Sequence, residues 1–79
     1  MDVTVYFPET EEGVKNANME FWHIQAGDGV EAGQVLGEAS TGKAEVQIEA
    51  PVAGTVKEIL VAEGEVVRER QPVAVISTP

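Results

Sequence analysis

Lys43 is the residue whose type and setting most readily permit chemistry. It stands between two segments that alternate apolar and polar residues, at a place where its amine must face water. The other candidates are weaker. His23 lies between Trp22 and Ile24, where a strand-surface or core-edge role is expected rather than that of a general base, and no nucleophile accompanies it in a recognisable arrangement. Glu45 and Glu49 fall on one strand face, but spacing alone does not make a catalytic carboxylate pair. The chain has no cysteine, so it offers no thiolate nucleophile, no disulfide and no thiolate metal site, and its one histidine rules out a multi-histidine zinc centre. The reading is a chain that is not itself an enzyme and in which no residues are assigned to a metal, divalent metal binding being open but unsupported.

The elements that position Lys43 can be derived from their pattern. Gln34 to Thr41 and Ala44 to Ala50 both carry the two-residue period of half-buried strands and should pair antiparallel. Placing Thr41 opposite Ala44 predicts Ala39 facing Val46, Gly37 facing Ile48 and Val35 facing Ala50 on one side. On the other, Ser40 faces Glu45 and Glu38 faces Gln47. Gly42 and Lys43 are left as a two-residue loop, with glycine where a type II′ turn needs positive φ.

Seventy-nine residues suffice for one domain, taken as residues 1–79. A formal net charge of −9 repels phosphate backbones and anionic lipid surfaces, which excludes nucleic acid and membranes as partners. Neither a membrane-spanning apolar run nor a secretory signal is visible, and the chain reads as soluble. Val3 to Phe7 reads as a first strand ended by Pro8, 9–16 as an exposed loop, and Met19 to Ala26 as strand-like up to the Gly27-Asp28-Gly29 turn. Glycine, proline and abundant valine leave little room for helices, so the fold class is all-β. Tyr6 and Trp22 read as packing residues.

A repeat organises these strands. Displaced by thirty-seven positions, Ile24 to Thr41 falls on Val61 to Thr78, matching Gly27 with Gly64, Val30 with Val67, Gln34 with Gln71, Ser40 with Ser77 and Thr41 with Thr78. Neither half has enough apolar surface to fold alone. Two small sheets facing each other about a pseudo-twofold axis would share a core of Trp22, Ile24, Val30 and Leu36 against Ile59, Val61, Val67 and Val73. The first Ser-Thr pair runs into the Gly42-Lys43 hairpin; the second reaches Pro79. The symmetry therefore sets the lysine at one pole and the termini near the other, a geometry suited to a carried group. Pro51 and Gly54 mark the corner where the chain crosses between sheets.

Over nearly its whole length the chain resembles a lipoyl domain of the 2-oxo acid dehydrogenase complexes. The matching residues are Trp22 and Ile24 before Gly27-Asp28, then Val30 and Gly33, Thr41-x-Lys43-Ala44, Pro51 with Gly54, and Gly64-Glu65-x-Val67. The resemblance implies a flattened β-barrel, or barrel-sandwich hybrid, of two four-stranded sheets. It implies lipoate in amide linkage to Lys43, presented by Thr41, Gly42 and Ala44, with small neighbours leaving the amine clear for a ligase. Its implied partners are a lipoate ligase or lipoyl transferase, a thiamine-dependent 2-oxo acid decarboxylase, an acyltransferase core and dihydrolipoamide dehydrogenase. The implied setting is the cytoplasm, or the mitochondrion in a eukaryote, and the domain is a carrier that can be a module of a dihydrolipoamide acyltransferase.

The family pattern Glu-Thr-Asp-Lys-Ala is altered here, with Ser40 and Gly42 in place of the acidic residues. The loop at 9–16 corresponds to one lying beside the lysine turn, where it can bear on partner choice. Two alternatives share the scaffold. Biotinyl carrier domains normally have methionine on both sides of the lysine, and Gly42 and Ala44 therefore favour lipoate over biotin. An unmodified barrel used for protein contacts has little reason to keep a lysine at the symmetric pole. The glycine-cleavage carrier protein is a larger lipoylated relative.

Overall fold

The computed structural model of the chain describes residues 1–8 and 16–79. Eight strands follow one another: β1 (Asp2–Tyr6), β2 (Asn16–Trp22), β3 (Gly29–Val30), β4 (Val35–Ser40), β5 (Glu45–Glu49), β6 (Gly54–Ile59), β7 (Val66–Arg68) and β8 (Pro72–Ser77). They form two four-stranded sheets, in the orders β1-β8-β6-β3 and β5-β4-β2-β7, with every neighbouring pair antiparallel. The all-β, two-sheet architecture is thus as expected. Among the described residues no helix is long and apolar enough to cross a membrane.

The pseudo-twofold relation holds down to single hydrogen bonds. β4 shifted by thirty-seven residues is β8, and β5 lies on β4 as β1 lies on β8. Gly27 N donates to Val56 O at 2.8 Å, and the matching Gly64 N donates to Met19 O at 2.7 Å. The β-bulges recur as well. Leu36 is the extra residue between β4 and β5, and Val73 is its counterpart between β8 and β1; Glu20 interrupts β2 against β4, and Lys57 interrupts β6 against β8.

These bulges change which side chains reach the core. Strict alternation puts Leu36 on the face of Glu38 and Ser40, yet Leu36 is fully buried. The bulge turns it inward, because one strand there offers two residues against one. The hairpin register is accordingly as predicted from Ser40–Glu45 through Gly37–Ile48, but Val35 lies opposite Glu49 and not Ala50. The bulge at Glu20 likewise turns Phe21 outward, and Trp22 packs partly buried against the core with Nε1 donating to Val61 O at 2.8 Å.

The core joins both halves. Ile24, Val30, Leu36, Val61, Val67 and Val73 are buried, Trp22 and Ile59 border them, and Phe7, Met19, Ile48, Val56 and Ile76 are among the other side chains of the interior. Three expectations are corrected. Tyr6 is 56% exposed, because β1 turns Val5 and the following Phe7 inward and the residue between them therefore faces out. The second strand begins at Asn16 and ends at Trp22, since β7 pairs with Asn16 to Asn18 and the chain leaves the ladder after Trp22. The crossing between sheets occupies 50–53, with Gly54 already inside β6; a side chain there would strike the Ser77 carbonyl of β8.

Candidate functional site: the lysine turn

β4 and β5 deliver the chain to a reversal at Gly42 and Lys43. Thr41 N donates to Ala44 O at 3.0 Å, and Gly42 takes φ +91°, a conformation that side-chain-bearing residues rarely adopt. The remaining amides of the turn are held by side chains. Ser40 Oγ accepts from Gly42 N at 3.2 Å, while Thr41 Oγ1 accepts from Ala44 N at 3.1 Å and from Lys43 N at 3.3 Å and donates to Ala44 O at 3.3 Å. Ser40 and Thr41 are half-buried, whereas Gly42, Lys43 and Ala44 are exposed. Of the residues expected to present the lysine, Thr41, Gly42 and Ala44 all adjoin it. The hydroxyl of Ser40 is a contributor that the sequence did not single out, although its repetition at Ser77 was a visible signal.

The register places this turn and the termini at opposite poles. From Asn18, opposite Ser40, β2 runs away from the turn to Trp22; the chain then reaches β3, where Gly29 faces Thr55, itself opposite Ser77. There Thr78 N donates to Met1 O at 2.7 Å and Thr78 Oγ1 to the same oxygen at 3.0 Å, the counterparts of the bonds from Thr41 to Ala44 O. The molecule measures 37 × 21 × 16 Å.

The outer face of the β5-β4-β2-β7 sheet carries acidic side chains beside the turn. A hydrogen bond with Glu20 holds the Glu45 carboxyl above its ordinary range, helped by partial desolvation and by the charges of Glu20 and Glu38. Glu38 also meets His23 Nε2 at 2.7 Å, and Phe21 stacks edge-on to the His23 ring at 5.0 Å. His23 is thus a partnered surface residue. The residues 9–15 of the loop expected beside the turn lie outside the described residues.

A group attached in amide linkage needs an accessible amine with nothing crowding it. Lys43 provides this: among the described residues no carboxylate lies within ion-pair distance of its Nζ, and a Cβ built on Gly42 meets nothing within 4 Å. The turn therefore fits a long covalent substituent.

Comparison with known proteins adds the family context. Residues 3–76 match the biotin/lipoyl family model, described as "Biotin-requiring enzyme". The dihydrolipoyllysine-residue acetyltransferase component of the pyruvate dehydrogenase complex of Staphylococcus epidermidis is 44% identical over 59 residues, which is 75% of this chain and 14% of that protein. The same component from Staphylococcus aureus is 41% identical over 59 residues. The chain thus spans about a seventh of these relatives' length, 14% of it. Among solved structures, the urea carboxylase of Kluyveromyces lactis matches with TM-score 0.82 and 27% identity, over 98% of this chain and 6% of that one. The lipoyl domain of the 2-oxoglutarate dehydrogenase complex of Azotobacter vinelandii has TM-score 0.70 and 21% identity, covering 98% of this chain and 95% of that one; at that identity it shows the fold alone.

Proposed function

The chain belongs to the biotin/lipoyl family, and from that premise we propose that it is a carrier domain whose Lys43 bears lipoate in amide linkage. The observation that carries this reading is the exposed Lys43 on a tight turn between β4 and β5, flanked by Gly42 and Ala44 and remote from the termini. The 44% identity to a dihydrolipoyllysine-residue acetyltransferase supports lipoate in particular. Bound lipoate would supply a dithiolane able to take up an acyl group and electrons at one active site and release them at another.

The chain's own part is presentation. To accept the group, Lys43 Nζ attacks an activated carboxyl carbon, forms the C–N bond, loses a proton and expels the activating group. Tethering the product to a rigid turn raises its effective concentration at successive active sites without any catalytic residue in the domain. The partners proposed are a lipoate ligase or lipoyl transferase for attachment, then the thiamine-dependent 2-oxo acid decarboxylase, acyltransferase core and dihydrolipoamide dehydrogenase of a 2-oxo acid dehydrogenase complex.

Intact mass after separate incubation with a lipoate ligase and a biotin ligase, followed by peptide mapping, tests this reading. One lipoyl adduct confined to Lys43 is expected. The similarity to a urea carboxylase favours biotin as the second reading, and a biotin adduct at Lys43 would establish it. A lipoyl adduct at another residue in folded Lys43→Ala would falsify the site.

A further inference from the structure

We propose that Thr41 is the positioning residue for Lys43: its hydroxyl locks the backbone on both sides of the lysine, so that the Cα–Cβ bond projects from the turn in one direction and the flexible side chain starts from a fixed base for the incoming activated acid. The consequence for modification rests on the carrier reading; the backbone constraint does not. A threonine hydroxyl offers one donor and two lone pairs. All three are used here, by Ala44 O at 3.3 Å, Ala44 N at 3.1 Å and Lys43 N at 3.3 Å. With its own amide and the next tethered to one oxygen, Lys43 cannot swing about its backbone without losing a bond. Ser40 Oγ extends the clamp to Gly42 N at 3.2 Å, so three consecutive amides at the reversal turn back onto two hydroxyls.

The opposite pole separates this role from general stabilisation. Thr78 occupies the equivalent position and makes the equivalent donation, from Oγ1 to Met1 O at 3.0 Å. Donation to a carbonyl across the strand pair is therefore common to both halves. Acceptance from the amides of Lys43 and Ala44 is what Thr41 adds at the lysine turn. A substitution at Thr78 removes the shared part of the interaction, and the same substitution at Thr41 removes both parts.

The test compares Thr41→Val, Thr41→Ser and Thr78→Val in the intact chain by two readouts: amide hydrogen exchange by NMR before modification, and the kcat/KM of a lipoate ligase from intact mass. Each lost bond contributes a modest net stabilisation, so Thr41→Val should speed exchange at Lys43 and Ala44 and lower kcat/KM by about tenfold. Thr41→Ser should restore both to within about twofold, since it returns the hydroxyl, and Thr78→Val should change neither readout at the turn. Wild-type exchange at Lys43 and Ala44 in Thr41→Val overturns the proposal, as does slowing of modification by Thr78→Val to the same degree. Should Thr41→Val fail to fold, Thr41→Ala takes its place. Faster exchange at Lys43 and Ala44 with slower modification supports the clamp, and unchanged values overturn it. If the ligase leaves the wild-type chain unmodified, the carrier reading fails, and the exchange rates still decide the positioning role.

Discussion

The two poles of this barrel start from one design and diverge in charge. Asp2 on β1 and Glu45 on β5 are equivalent positions, opposite Ser77 and Ser40, and the bulge residues Lys57 and Glu20 stand beside them. At the terminal pole Lys57 Nζ meets Asp2 at 2.6 Å, which holds the Asp2 carboxyl below its usual range and the lysine above its own. At the lysine pole the same geometry brings together two carboxyl groups. The halves share their hydrogen-bond ladders, bulges and Ser-Thr pair, and they differ beside the turn that carries the exposed Lys43 amine. Symmetry marks the scaffold in this fold, and the departures from it gather around the proposed site.

Lys43→Ala should break the comparison most completely: modification is abolished, while melting changes by no more than about 0.5 kcal/mol because the exposed side chain packs against nothing. Intact mass and thermal denaturation check both parts. Next in size are the matched core truncations. Leu36→Ala should cost about 2–5 kcal/mol and Val73→Ala about 2 kcal/mol. Because the core is shared, each variant should still unfold in one transition; two separate transitions would show that the halves are independent.

Gly42→Ala should destabilise by about 1 kcal/mol, an effect of φ alone since the space is open. Denaturant titration would read it, and an unchanged midpoint would mean that the turn relaxes to another conformation.

The smallest effects concern pH, and the two poles should respond with opposite signs. Asp2 titrates below its ordinary value, so the stability it contributes is present above that value and is lost as pH falls through the lowered one. Glu45 titrates above its ordinary value, so the contribution of its hydrogen-bonded pair is present below that value and is lost as pH rises through the raised one. NMR titration of the carboxyl carbons should show Glu45 falling towards an ordinary glutamate in Glu20→Gln and staying raised in Asp2→Asn. Glu20→Lys should give the lysine pole the ion pair of the other pole and lower Glu45 below the usual range. If Glu45 stays raised in Glu20→Gln, the pairing is not the cause.

Much of the architecture was legible because it depends on neighbours along the chain. Alternation from Ala44 to Ala50, glycine at the reversal and the thirty-seven-residue repeat predicted the hairpin, most of its register, the two facing sheets and an exposed Lys43. Those features follow from local φ preference and from which side of a strand is apolar. The burial of Leu36 was expected from the repeat, and Tyr6 faces out as its place between Val5 and Phe7 requires, but the bulge by which Leu36 reaches the core, the outward turn of Phe21 and the meeting of Glu20 with Glu45 were decided by tertiary structure. A bulge arises only when a strand must satisfy its hydrogen bonds and its packing together, and no alternation pattern records that constraint. The Ser40 and Thr41 hydroxyls belong to the same class: their repetition at Ser77 and Thr78 was readable, but the amides they hold become available only when the chain reverses at Gly42.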